Sequence, residues 1–399
     1  MPKETFCLLN DSFPPFVDGV ANAVINYATE IKRHDMSPLV ITPSHPDAND
    51  RDFDFDIIRY KSLKFLKFKG YFTGVPFSSK ALRFAKYNNI SLIHTHCPLI
   101  STYLAREIRR VSNSPIVMTY HSKFDIEIED LTKSPFIRAA AQKVLLNNIS
   151  ACDEVWVVSD GAGKSLRNLG YSGEYIVMPN GVDFTHAKVS ASTVTSITAG
   201  YDLPDDIPFY LFVGRMLWYK GIRIILDALA KLRTNGKDFR MVFIGDGNER
   251  QEIEKYSKKC KVFDKCLFLG SITNREALKA WYCRADLLLF PSTYDTNGLV
   301  VREAAACDVA AVLISKSAAA EGITHNRNGF LIDENAESLY TCLSELYGRP
   351  ETTKRVGKNA GDQVYFSWEN AVNKAIDRYA TIIENHKNSN YSKIKNGFL

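Results

Sequence analysis

The stretch Pro291–Leu313, PSTYDTNGLVVREAAACDVAAVL, decides how the chain is read. It follows an apolar run, Asp286–Phe290 (DLLLF), with the length and composition of a buried strand. A polar turn comes next, then a segment with small and apolar residues on one side, then a second apolar run, Ala310–Ile314. Strand, loop, helix and strand in that order predict a parallel pair whose connecting helix starts at the carboxyl edge of the sheet. The helix is expected to begin near Asn297-Gly298, where free backbone N–H groups can face an anion. Asp295 stands just before it, and Glu303 follows eight positions later, inside the helix. Amides for phosphates and two carboxylates for hydroxyls suit a phosphorylated sugar. The same residues also describe an ordinary acid-flanked helix N-terminus. The rest of the chain has to separate the two.

At 399 residues the chain suits two domains, each able to bury its own core. A composition of 45% hydrophobic and 24% charged residues is that of a globular protein, and a net charge of +5 is too mild to argue for nucleic acid. No apolar run reaches the roughly eighteen residues of a membrane span. The N-terminus, MPKETFCLLN, enters a strand-like run without the apolar core of a signal peptide. The eight cysteines are scattered, with no CxxC pair. Cys7, Cys152, Cys283 and Cys307 lie in or beside apolar segments and read as buried thiols of a cytoplasmic protein.

The first half alternates strand and helix. Cys7–Leu9 opens a strand, DSFPPFVDGV follows as a loop, and Val20, Val24, Tyr27, Ala28 and Ile31 recur at helical spacing before a strand at Leu39–Thr42. Asp18-Gly19 sits at the mouth of that helix, where a glycine lets a ligand approach the backbone. Two more strands, Ser91–Ile93 and Pro115–Tyr120, run into His94-Thr95-His96 and His121. These are strand carboxyl ends, where open α/β sheets place their ligands. His94 reads as a core histidine. Zinc on His94, His96 and His121 lacks an acidic or cysteine partner at metal spacing. Asp52, Asp54 and Asp56 alternate with apolar residues, which predicts one solvated face of an edge strand rather than a metal site. Gly163-Lys164-Ser165 looks like the end of a P-loop, but Val158 holds the place of its first glycine, so a helix capped by Ser159 is expected instead. In Lys61–Phe72, Lys64, Lys67 and Lys69 interleave with Phe65, Leu66 and Phe68. That mixture suits an anionic membrane surface; single-stranded nucleic acid or a plain lysine-flanked strand would use the same residues.

Thr185–Asp206 has no strong period and reads as the linker to a second α/β unit. There Phe209–Val213 ends in Gly214-Arg215, and Lys220-Gly221 opens a helix, Ile222–Arg233. Arg215 and Lys220 are placed for one anion, and two fixed cations would favour the charge that grows on a departing diphosphate. Met241–Ile244 leads into the turn Gly245-Asp246-Gly247. Amphipathic helices from about Ala336 and Ser367 close the chain.

Several of these segments, in the same order, resemble the group 4 family of retaining glycosyltransferases. They are the Asp18-Gly19 loop, His121 after its strand, the turn PNGVD at 179–183, GRMLWYKG at 214–221 and the pair Asp295/Glu303. The family's first acid is usually Glu, and its helix is usually followed by Gly where this chain has Asp308. The resemblance implies GT-B architecture: two Rossmann-like α/β domains facing across a cleft, an acceptor domain over residues 1–190 and a nucleotide-sugar domain over 205–365. The last helix, about 367–386, would cross back onto the first domain. It implies that Arg215 and Lys220 hold the diphosphate with the amides of Asn297, Gly298, Leu299 and Val300. Glu303 would bind the ribose, Asp295 the sugar hydroxyls, and Gly214, Gly245 and Gly247 would line the nucleotide site. His121 would sit by the sugar, Gly19 by the phosphates or acceptor, with Asp18 and His96 on the acceptor side. The expected reaction is sugar transfer with retention from a nucleotide sugar such as UDP-glucose or GDP-mannose, with no metal or other cofactor. The lysine-aromatic stretch favours a lipid or lipid-linked glycan acceptor at the cytoplasmic face of an anionic membrane, with no nucleic acid partner. A 2-epimerase, a sugar phosphorylase and a non-catalytic sugar-nucleotide-binding protein remain open alternatives on the same fold.

Overall fold

The computed structural model describes residues 4–16, 18–68, 71–121, 124, 128, 133–295 and 297–388. The chain forms two compact units. One comprises residues up to Asn180 and from Trp368 onward, the other Gly181–Ser367.

The first unit begins β1 (Thr5–Leu9), α1 (Gly19–Arg33), β2 (Ser37–Pro43) and β3 (Asp56–Tyr60), followed by a hairpin of β4 (Ser62–Phe68) and β5 (Tyr71–Gly74). It continues through α2 (Ser79–Tyr87), β6 (Ile90–Thr95), α3 (Ile100–Ser112) and β7 (Ile116–Tyr120). Next come α4 (Pro135–Ser150), β8 (Glu154–Val157), α5 (Asp160–Asn168) and β9 (Ile176–Val177). Seven strands form a parallel sheet in the order β3-β2-β1-β6-β7-β8-β9. Phe6–Leu9, Leu39–Ile41 and Ile116–Met118 are buried along their whole length, as strands covered by helices on both faces must be. The order reverses between β1 and β6.

The second unit repeats the plan. It contains α6 (Ala191–Thr198), β10 (Phe209–Val213), α7 (Ile222–Thr234), β11 (Arg240–Ile244), α8 (Arg250–Lys259) and β12 (Cys266–Gly270). Then follow α9 (Arg275–Arg284), β13 (Leu287–Phe290), α10 (Leu299–Ala306), β14 (Ala310–Ile314), β15 (Phe330–Ile332), α11 (Ala336–Leu346) and α12 (Pro350–Gln363). The six strands are parallel in the order β12-β11-β10-β13-β14-β15, reversing between β10 and β13. The chain then re-enters the first unit as α13 (Trp368–Asn388), which lies against α1. Tyr379 of α13 stacks on Trp156 at 5.5 Å, and Arg378 grips Glu154 with Nε and Nη2 at 2.9 and 2.6 Å.

Two expectations need correction. Only Asp56 of the Asp52/Asp54/Asp56 run lies in a strand; Asp52 closes a 3-10 turn instead. The intervening Phe53 packs its ring on Phe13 at 5.2 Å and on Phe55 at 5.4 Å, and this aromatic contact replaces the strand pairing that the alternation mimics. The stretch Thr185–Asp206 is not a bare linker. It belongs to the second unit and contains α6, whose first turn is capped by Ser190 Oγ accepting from the Thr193 amide at 3.1 Å.

The membrane candidates Lys64, Phe65, Lys67 and Phe68 lie on β4, where Lys67 pairs with Phe72 and Phe68 with Tyr71 in antiparallel register. Their side chains, and Lys69 altogether, lie outside the described residues. No helix among the described residues is long and apolar enough to cross a membrane.

Candidate functional site

In the second unit the singled-out residues gather at the carboxyl ends of β10, β11 and β13, at the point where the strand order reverses. Open parallel sheets leave a crevice there, because neighbouring connections depart to opposite faces. Turns from the three strands meet backbone to backbone. A Cβ on Gly245, whose φ is +135°, would stand 1.9 Å from the Gly214 carbonyl oxygen, and one on Gly247 would stand 2.6 Å from that of Met216. These glycines therefore serve the close approach of two chain turns. The amide N–H groups of Gly214 and Met216 donate to the Ile244 and Asp246 carbonyls, both at 3.0 Å, and lock the turns together.

On this floor Arg215 is exposed and makes no ion pair with any described residue. Lys220 is buried. Its ammonium donates to Asp295 Oδ1 at 2.6 Å, and Ser292 Oγ donates to Asp295 Oδ2 at 2.5 Å. The rings of Tyr219, Phe290 and Tyr294 surround Lys220 Nζ at 5.6, 5.9 and 6.0 Å from their centroids. The two residues expected to grip opposite parts of a donor are thus bonded to each other. An anionic group would enter as a third partner of Lys220.

Gly298 forms the N-cap of α10 in left-handed conformation (φ +55°), and no side chain among the described residues caps the helix. A Cβ there would meet Ala319 at 3.0 Å. The first-turn amides are left for a ligand. Asn297 precedes them, with Oδ1 accepting from Arg302 at 3.0 Å and with Nδ2 buried and without a partner among the described residues. Glu303 is buried one turn into the helix. Arg275 Nη2 donates to its Oε1 at 2.6 Å and the Tyr282 hydroxyl to its Oε2 at 2.8 Å; the same guanidinium also meets Asp183. Burial pushes the Glu303 carboxyl up, and Arg275 opposes that. Each carboxylate oxygen keeps an open lone pair for a hydroxyl. Arg275 and Tyr282 have no local sequence signal; they stand 28 and 21 positions from Glu303. Asp308 does adopt the left-handed conformation (φ +56°) that glycine favours.

In the first unit the candidates occupy the equivalent place, at the carboxyl ends of β1, β6 and β7 beside the reversal between β1 and β6. Asp18 caps α1, its Oδ1 accepting from the amides of Val20 and Ala21 at 2.9 and 2.7 Å. A Cβ on Gly19 would meet no described residue within 4 Å. His96 Nδ1 lies 3.0 Å from His121 Nε2, and the two rings stack at 5.3 Å. Asn180 Nδ2 donates to His121 Nδ1 at 3.4 Å, which puts the His121 proton on Nε2 and leaves His96 with its proton on Nε2. That nitrogen is buried without a partner among the described residues. His94 is a structural residue, bonded to Tyr379 and Thr119 at 2.6 and 2.7 Å. No group of three metal-ligating side chains is arranged to hold an ion among the described residues.

Burial holds all three histidines neutral. It pushes His121 from 6.5 down to about 4, opposed by Asp18; it also holds His94 and His96 well below the ordinary value, helped by His121 at His94 and by His94 and His121 at His96. A native pKa below the unfolded one means that the unfolded chain binds the proton first. The stability contributed is therefore fully present above pH 6.5 and is lost as pH falls towards 4. We expect about 1.4 kcal/mol per pH unit from His121 over that window. Urea unfolding between pH 7 and 5 checks this, and a flat profile would contradict it.

Comparison with known proteins bears on both units. The sequence matches the family described as Glycosyltransferase Family 4 over residues 17–186 and that described as Glycosyl transferases group 1 over residues 195–363. It is 26% identical over 307 residues to alpha-monoglucosyldiacylglycerol synthase of Streptococcus pneumoniae, covering 75% of this chain and 68% of that one. Against the enzyme of the same name from Acholeplasma laidlawii it is 22% identical over 369 residues, covering 88% and 90%. The fold is similar to that of Anabaena Alr3699/HepE, solved in complex with UDP and glucose. The TM-score is 0.74 at 18% identity, over 94% of this chain and 99% of that one. With each unit matched over the segment that carries its share of these residues, the chain belongs to the group 4 glycosyltransferases and has the GT-B fold.

Proposed function

We propose that the protein transfers a hexose from a nucleotide sugar to a lipid or lipid-linked acceptor with retention of anomeric configuration. The observation that carries this reading is the clustering of Arg215, Lys220, Asp295, the uncapped amides of α10 and Glu303 at one strand-order reversal. Arg215 and Lys220 take the diphosphate, with the amides of Asn297, Gly298, Leu299 and Val300. Glu303 takes the ribose hydroxyls. Asp295 passes from Lys220 to the sugar hydroxyls as the phosphate arrives. Its side chain is shorter by one methylene than the Glu usual in the family, which moves the carboxylate away from the sugar and bears on which hexose fits.

The acceptor hydroxyl attacks the anomeric carbon on the face that the phosphate leaves, and the departing phosphate oxygen receives the acceptor proton. No protein nucleophile is needed. The two cations supply the countercharge as it develops, so the chemistry asks for no metal. His121 accompanies the sugar, while Gly19, with Asp18 and His96 beside it, serves the acceptor. The lipid acceptor is supported by the similarity to the two alpha-monoglucosyldiacylglycerol synthases, which makes UDP-glucose and diacylglycerol the first pair to try.

Thermal-shift screening of nucleotide sugars tests the donor. A donor at about a hundred times its Kd stabilises by about 2.7 kcal/mol; no shift with UDP-, GDP- or ADP-sugars would sink the reading. A sugar that is inverted at C2 without any acceptor would instead reveal an epimerase. For the membrane, we expect weak, salt-sensitive sedimentation with anionic vesicles, each lysine contributing about 1 kcal/mol. Unchanged sedimentation after joint replacement of Lys64, Lys67 and Lys69 would count against that contact.

A further inference from the structure

Two tyrosines stand beside the bonded pair Lys220 and Asp295. Tyr219 lies in the 3-10 turn Trp218–Lys220, and Tyr294 in the loop that joins β13 to α10. Their ring centroids are 4.5 Å apart, with the planes tilted by 43°. The same centroids lie 5.6 and 6.0 Å from Lys220 Nζ, which donates to Asp295 Oδ1 at 2.6 Å. Phe290, the third ring near that ammonium, is buried in the core of the unit. Tyr219 instead keeps 44% of its surface exposed, and Tyr294 is half-buried.

Backbone packing fixes the two loops against each other. Gly221 has φ +77°, and a Cβ there would stand 1.9 Å from the Pro291 carbonyl oxygen. The 3-10 turn is anchored again by the Trp218 amide, which donates to Glu249 Oε2 at 2.6 Å. The Trp218 ring is engaged elsewhere, with the Arg223 guanidinium 4.6 Å from its centroid. Tyr219 is thus the residue that offers an aromatic surface next to the carboxylate of Asp295. A tyrosine ring has only two side-chain torsions, so it loses little entropy when a ligand settles on it.

We propose that Tyr219, backed by Tyr294, is the platform on which the donor hexose lies, and that it selects a sugar of glucose configuration. This rests on the donor reading given to Lys220 and Asp295. The face of an aromatic ring is electronegative and apolar, and it packs against sugar C–H groups where no hydroxyl intervenes. An α-linked diphosphate occupies one face of the hexose, and attack with retention needs that same face. Only the opposite face is free for the protein. In glucose that face carries axial hydrogens at C2 and C4. Galactose puts an axial hydroxyl there at C4, and mannose puts one at C2. Either hydroxyl lifts the sugar off the platform and is left against an apolar surface without a hydrogen bond. Asp295 takes hydroxyls at the rim of the ring, so platform and carboxylate read different parts of the same sugar.

The test is calorimetric titration of the full-length protein with UDP, GDP and ADP. Each is used alone, as its glucose form and as an epimer: galactose for UDP, mannose for GDP and ADP. For the nucleotide that binds, we expect the glucose form to be preferred over the epimer by about tenfold or more. Tyr219→Ala should bind the free nucleotide as tightly as the unaltered protein. It should bind the glucose donor about tenfold more weakly and prefer it over the epimer by about twofold or less. Tyr219→Phe should keep the preference, because the ring and not the hydroxyl carries it. An unchanged melting temperature confirms that these exposed-site variants are folded. An epimer that binds better than the glucose form, or a preference that survives in Tyr219→Ala, would overturn the proposal. Equal losses for free nucleotide and donor in Tyr219→Ala would also overturn it, since the ring would then serve Lys220 or the base. An unaltered protein that binds none of the three nucleotides would remove the donor reading itself, and the platform with it.

Discussion

Lys220→Ala is expected to lower kcat for sugar transfer by about 10²–10³, the usual cost of losing one fixed charge that faces a developing oxyanion. Arg215→Ala should lose a comparable part of the rate by the same physics. The two differ in what they do to the fold. Lys220 is buried and bonded to Asp295 at 2.6 Å, so its removal leaves the carboxylate with the Ser292 hydroxyl as its donor. Breaking a fully buried pair costs about 3–5 kcal/mol, and the partial exposure of Asp295 brings this to about 1–3 kcal/mol. Arg215 is exposed, and its loss should change stability by less than about 0.5 kcal/mol. Rate loss without stability loss in Arg215→Ala separates chemistry from folding. Donor hydrolysis and transfer at normal rates in both variants would remove the diphosphate assignment.

Glu303→Gln is expected to act on binding rather than on the chemical step. The amide keeps the size of the side chain and can still accept from Tyr282, but it gives up the charge that meets Arg275 at 2.6 Å. A hydrogen bond to a charged group is worth about 1.5–3 kcal/mol, so the donor KM should rise about 10- to 100-fold. A ribose is gripped equally in ground and transition states, and kcat should therefore move much less. Titration with UDP alone should show the same loss. An unchanged KM, or a loss confined to kcat, would mean that Glu303 does not hold the nucleotide.

Much of the fold is legible along the chain, because each parallel strand is an unbroken apolar run. Phe209–Val213, Leu287–Phe290 and Ala310–Ile314 are buried throughout. Residues at strand carboxyl ends inherit a place from that pattern, which is why Arg215, Lys220, Asp295 and His121 could be singled out. Pairing across long separations is another matter. Lys220 and Asp295 are 75 positions apart, and nothing local says that they bond to each other. Arg275, at the exposed start of α9, meets Glu303 only because two helices pack side by side. Cys283, read as a buried thiol from its apolar neighbours, keeps part of its surface exposed. Helix α6 hides for a different reason. Its sequence ASTVTSIT is rich in β-branched and hydroxyl side chains of low helix propensity, and docking against α9 outweighs that preference. The glycines at 245 and 247 look like a nucleotide turn, and close packing against the neighbouring turn also asks for glycine there, because a Cβ on either would meet backbone.

The most direct test of the account is a proton NMR time course of the full-length protein with UDP-glucose and diacylglycerol in anionic vesicles. The account predicts release of UDP together with a glucosyl lipid whose anomeric proton shows the small coupling of an α linkage, as in the donor. A β-linked product, or UDP-glucose that stays intact with this and every other lipid acceptor while still binding, would contradict it.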